Sequence, residues 1–80
     1  MREVDLDKIR KMRKKHKMSQ KDMAAVIGSK SVYPYHRKEI GVQSFTAEEI
    51  YAIANFFNKP IEYFFTNSIA KSASDEKQVI

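Results

Sequence analysis

The chain predicts an all-α fold of five helices, and three observations predict it. Apolar residues recur at helical spacing in successive stretches, two of those stretches open on reciprocal capping signals, and no stretch alternates with the period of a strand. The segments closest to strands fail for local reasons. Residues 32–35, VYPY, are interrupted by Pro34, and residues 61–65, IEYFF, follow too closely on the helix before them.

Leu6, Ile9, Met12 and Arg13 share one face, so residues 5–16 read as an amphipathic helix with Asp5 as its N-cap. The basic residues late in this segment suit the negative end of the helix dipole. The second helix starts at Ser19, whose hydroxyl can accept from the Asp22 N–H while the Asp22 carboxylate reaches back; Met18 and Met23 staple the start. Met23, Ala24 and Ile27 form its inner face. Ala24 is expected where two helices cross closely, because a larger side chain would force them apart. Gly28 closes the helix.

For the third helix, Ser31 as N-cap puts Pro34 in the first turn, where a missing N–H costs little. It should run to about Ile40, with Gly41 ending it. Tyr35 should point inward. Lys38 approaches the same side and is expected to snorkel, its stem packed and its ammonium in water. Thr46 and Glu49 form a second capping box, with Phe45 and Ile50 as the staple, and residues 47–57 bury Ile50, Ile53, Ala54 and Phe57. Pro60 opens a fifth, short helix carrying Ile61, Phe64 and Phe65. From Asn67 onward the chain is polar and weakly periodic, so residues 1–66 are read as one domain and 67–80 as a flexible tail.

With 80 residues the core must be economical. The absence of cysteine excludes a disulfide framework and a thiolate metal site, and His16 and His36 alone do not suggest any other metal site. No stretch resembles a signal peptide or approaches the roughly 20 apolar residues of a membrane helix, so a cytoplasmic protein is expected. No spacing pairs a nucleophile with a base, and so neither an enzyme nor a cofactor is expected. The net charge of +5 is concentrated: residues 10–21 hold Arg10, Lys11, Arg13, Lys14, Lys15, Lys17 and Lys21 with no acid among them. Such density attracts a polyanion; the plainer alternative is a solvated basic helix.

Residues 19–41 read as two short helices joined at a tight turn, a layout that can lay the second helix in the major groove of double-stranded DNA. Arg37 is then the foremost candidate for a guanine edge, with a phosphate contact as the alternative. Val32 and Tyr33 would meet thymine methyls or else pack against another helix, and His36 would face the groove as neutral or charged imidazole. Gln20, Lys21, Lys14, Lys15 and Ser31 are the candidate phosphate contacts. Arg13 and Glu39 fall near the inner edges of their helices, where an isolated carboxylate would be costly, and are expected to form a partly buried bidentate pair.

The residues Ile9-Arg10, Arg13, Met18-Ser19-Gln20, Met23-Ala24 and Ile27-Gly28, then Glu39-x-Gly41, then Ile50, Ile53-Ala54, Phe57, Ile61 and Phe64, resemble the Xre/Cro/CI family of helix-turn-helix repressors over about residues 6–65. The resemblance implies a lambda-repressor-like helix-turn-helix domain, Cro-like in size. It implies that Gln20 touches a phosphate, that Arg13 pairs with Glu39, and that Val32, Tyr33, His36 and Arg37 occupy the groove-facing part of the recognition helix, residues 31–40. It further implies a homodimer on a palindromic operator, commonly in a phage or mobile element. Phe56, Tyr63 and Phe65 are the candidate dimer contacts. The chain departs from the family pattern in three places. The Gly28–Glu39 interval is one residue longer, Val-Tyr-Pro-Tyr replaces small polar residues, and Phe45 stands where a proline is common. The competing reading is a protein-interaction module or antitoxin-like regulator that grips a protein partner through Tyr33, Pro34 and Tyr35. RNA binding is weaker still, for want of a repeated stacking surface.

Overall fold

The structure, a computed structural model, describes residues 3–66. Within them lie four α-helices: α1 (Leu6–Lys15), α2 (Gln20–Val26), α3 (Val32–Glu39) and α4 (Ala47–Phe56). The fifth helix expected after Pro60 is instead a single 3-10 turn, Ile61–Phe64. The reason lies at its two ends. Pro60 sits outside the turn in extended backbone, and Phe65 is again extended, at φ −115 and ψ 145, because it pairs with Val4 in an isolated antiparallel bridge. Asp5 N–H donates to the Phe64 carbonyl at 2.8 Å, and Thr66 N–H to the Glu3 carbonyl at 2.6 Å. Four residues held between two extended segments complete only one turn. The tail assigned to residues 67–80 lies outside the described residues.

The helix starts follow local chemistry. Asp5 Oδ1 accepts from Lys8 N–H at 3.0 Å, and both capping boxes, Ser19–Asp22 and Thr46–Glu49, are closed in both directions. Ser31 caps α3 by backbone position alone, and the Ser29 hydroxyl steadies the turn before it by donating to the Ser31 carbonyl at 2.8 Å.

The helix ends share one device. Each of the four closes in a Schellman motif, in which the second residue past the helix cap donates back to the carbonyl three positions inside: Met18 to Arg13, Ser29 to Ala24, Val42 to Arg37 and Lys59 to Ala54. The residue between must be left-handed. Gly28 and Gly41 fill that place on α2 and α3, at φ +79 and +90. On α1 and α4 it falls to Lys17 and Asn58, at φ 57 and 58.

The core gathers Ile9 and Met12 from α1, Met23 and Ala24 from α2, Tyr35 from α3, Ile50, Ile53 and Ala54 from α4, and Phe57 and Phe64 beyond it. Full burial of side chains this size contributes about 1.5–3 kcal/mol each for the larger ones. Lys38 corrects a sequence expectation. It is 7% exposed, and its ammonium lies 2.6 and 2.7 Å from the two carboxylate oxygens of Glu49 instead of reaching water. The capping box turns Glu49 back over the start of α4, beside the inner face of α3, and so supplies the counter-charge there. Burial alone would raise the Glu49 pKa, but hydrogen bonds from Lys38 and Thr46 hold it below the usual carboxylate value.

Candidate nucleic-acid interface

α2 and α3 are joined through residues 27–31 and fixed against each other by one carboxylate. Glu39, 1% exposed at the end of α3, accepts from Arg13 Nε at 2.9 Å and Arg13 Nη2 at 3.2 Å, from Gln20 Nε2 at 2.9 Å and from the Tyr35 hydroxyl at 2.6 Å. The structure thus brings Arg13 and Glu39 together in bidentate geometry. The guanidinium also donates to the Met18 carbonyl at 3.0 Å, and Arg10 donates to the Glu39 carbonyl at 3.3 Å. One ionic cluster therefore ties α1, the start of α2 and the end of α3. Burial alone would raise the Glu39 pKa; the hydrogen bonds from Arg13, Tyr35 and Gln20 outweigh it and hold the carboxyl below its usual value. Burial first, and then its bond to Glu39, push the Tyr35 phenol well above its ordinary range.

Gln20, expected at a phosphate, has its amide engaged inside the motif. Nε2 donates to Glu39, and Oε1 lies 3.2 Å from His36 Nδ1. One of the two amide hydrogens on Nε2 remains for an outside acceptor.

The outer side of α3 carries Val32 and Tyr33, 41% and 62% exposed, with His36 and Arg37 half-buried beside them. Arg37 Nη1 donates to the Tyr33 hydroxyl and Nε to Gln43 Oε1, each at 3.4 Å, with the guanidinium 5.7 Å from the Tyr33 ring centroid. Bonds that long are weak and readily exchanged for better partners. Gln43 was not legible as part of this group, because it lies in the irregular loop past Gly41 where no periodicity marks it.

Lys21 and Ser31 line one shallow groove of about 410 Å³, together with Ala25, Ser29, Lys30 and Val32. Lys30 lies next to the N-cap of α3, and that position is the one feature of the sequence that marks it. Lys14 and Lys15 are exposed on the last turn of α1. The basic cluster is only partly available. Arg10 and Lys11 pair with Asp7, and Arg13 with Glu39, whereas among the described residues Lys14, Lys15, Lys17 and Lys21 enter no ion pair. The candidate dimer contacts divide. Phe56 is 53% exposed, but Tyr63 and Phe65 are half-buried against the core, and Tyr63 has the Lys8 and Lys59 ammonium groups 4.4 and 4.9 Å from its ring centroid.

Two helices locked across a tight turn, the second presenting polar and aromatic side chains beside uncompensated lysines, define a helix-turn-helix DNA-binding domain. A family model described as Helix-turn-helix, of the Xre/Cro type, matches residues 9–64, and the chain belongs to that family. It is a non-catalytic DNA-binding domain of transcription regulation, and DNA is its partner. Comparison with curated proteins and with solved structures gave no significant match. Among the described residues no helix is long and apolar enough to cross a membrane.

Proposed function

We propose that the protein is a sequence-specific transcriptional repressor that places α3 in the major groove of double-stranded DNA. The observation that carries this reading is the Glu39 cluster, which fixes α3 on α2 with Val32 and Tyr33 exposed and Arg37 on the same helix loosely held. Val32, Tyr33, His36 and Arg37 read base edges, and Gln20, Lys21, Ser31, Lys14 and Lys15 hold phosphates. The groove-reading unit lies within the described residues 3–66. Two copies bind a palindromic operator, with Phe56 the most exposed of the three candidate dimer contacts.

Selection of bound duplexes from a random library tests the reading directly. The wild-type protein should enrich a two-fold symmetric sequence, and Arg37→Ala should relax preference at one position in each half-site, by about 1–3 kcal/mol if the contact is bidentate to guanine. Lys14→Ala and Lys15→Ala should weaken all sequences alike and lower the salt slope. Weak, unselective binding by the wild type would sink the repressor reading.

A second reading draws on the exposure of Tyr33 and Val32, since an exposed aromatic on a helix face also anchors protein interfaces. In that case Tyr33→Ala would abolish capture of a protein partner while leaving DNA affinity intact.

A further inference from the structure

The hydrogen bonds running from Glu39 to His36 fix which ring nitrogen of His36 carries the proton. A carboxylate only accepts hydrogen bonds, so the Gln20 atom 2.9 Å from Glu39 Oε1 must be the amide nitrogen. The reverse orientation would press a carbonyl oxygen against a buried carboxylate oxygen. Gln20 therefore turns its carbonyl oxygen toward His36, 3.2 Å from Nδ1. That oxygen has no proton to give, so Nδ1 donates. In neutral His36 the proton then sits on Nδ1, and Nε2 is a bare acceptor. Arg13 and Tyr35, which donate to the same carboxylate, keep Glu39 an acceptor and so hold the relay in this sense.

We propose that this relay makes His36 a specificity-determining residue that accepts, through Nε2, a hydrogen bond from an exocyclic base amine in the major groove, the N4 amine of cytosine or the N6 amine of adenine. The inference rests on α3 being the groove-reading helix. Guanine O6 and N7 and thymine O4 are acceptors and would meet a lone pair. An imidazole free to take either tautomer would lose this discrimination, because an Nε2–H suits guanine and thymine. Gln20 is thus a positioning residue: it acts on base choice through His36, apart from any phosphate it touches.

The test uses the full chain labelled with 15N at about pH 8.5, well above the ordinary imidazole value of about 6.5. Imidazole 15N shifts separate a protonated from a bare ring nitrogen, and a His16→Gln variant assigns the two histidines. The wild type should show His36 bare at Nε2, and Gln20→Met, similar in length but lacking the carbonyl oxygen, should show mixed tautomers. Wild-type His36 protonated on Nε2 overturns the relay. Duplex selection supplies the second arm. One operator position should favour cytosine or adenine by roughly threefold to tenfold, the worth of one hydrogen bond, and lose that preference in both Gln20→Met and His36→Ala. Unchanged preferences in both variants overturn readout by His36 while sequence-specific binding stands. No enrichment by the wild type removes the groove-reading premise and this inference with it. The wild-type spectrum and His36→Ala do not depend on Gln20→Met folding, so the proposal remains refutable if that variant is unstable.

Discussion

Glu39→Gln probes the joint on which the interface depends, since it preserves shape and removes one charge. Four donors converge on the Glu39 carboxylate: two from Arg13, one from Gln20 and one from Tyr35. A glutamine carbonyl has two lone pairs, and its NH2 group would confront donors. At least one donor is orphaned and the Arg13 guanidinium loses its counter-charge. Breaking a buried pair on one side costs about 3–5 kcal/mol. The Arg13 side chain keeps 12% of its surface in water and Glu39 2%, so a cost near the lower end, about 3 kcal/mol, is expected. An 80-residue chain holds about 4–12 kcal/mol in all, at the typical value per residue. The variant should therefore melt about 12–24 °C lower, followed by circular dichroism. Urea unfolding of Arg13→Leu, Glu39→Leu and the double variant measures the coupling. The double should cost less than the sum of the singles by about 0.5–3 kcal/mol, because it leaves no lone buried charge. A Glu39→Gln protein within about 0.5 kcal/mol of wild type, the range of ordinary surface changes, would refute the reasoning.

Other consequences follow from the same geometry. The folded Glu39 and Glu49 carboxyls titrate below their usual values, so their stabilisation is full above about pH 4.3 and is lost as pH falls through the folded values; acid titration of Glu39→Gln should show a shallower loss than wild type. Glu49→Gln keeps an acceptor for the Thr46 N–H but removes the counter-charge of the buried Lys38 ammonium, and urea unfolding should report a loss of about 3 kcal/mol, the low end for a broken buried pair. Lys17→Gly should raise the melting temperature, by relief of about 1 kcal/mol of left-handed strain, where an unchanged or lower value would mean the lysine stem packs. Ala24→Leu should destabilise by about 1–3 kcal/mol, because the alanine is 2% exposed in the core.

Much of the helical frame was legible because it is local. Capping boxes need only residues three apart, so Ser19–Asp22 and Thr46–Glu49 announced the starts of α2 and α4. Gly28 and Gly41 announced two ends because glycine tolerates positive φ. Lys17 and Asn58 do the same work without glycine; asparagine is a residue type that tolerates positive φ, whereas nothing in the Lys17 side chain advertises it. At the candidate interface, Gln43 and Lys30 were not legible, since membership there depends on how a loop returns to α3 and not on helical period.

The sequence by itself determined the four α-helices, where they start, which faces are apolar, and that Arg13 and Glu39 both lie toward the inside. Those properties depend on neighbours within one or two turns. Only the tertiary structure decided three others. Residues after Pro60 stop at one 3-10 turn because Phe65 must meet Val4, a partner at the far end of the chain. Lys38 stays inside because Glu49, on another helix, neutralises it. Gln20 turns its amide inward because the Glu39 carboxylate and the His36 ring both lie within hydrogen-bond reach of it. Each is settled by a charge or a backbone hydrogen bond supplied from a distant segment, and sequence spacing carries no record of that distance.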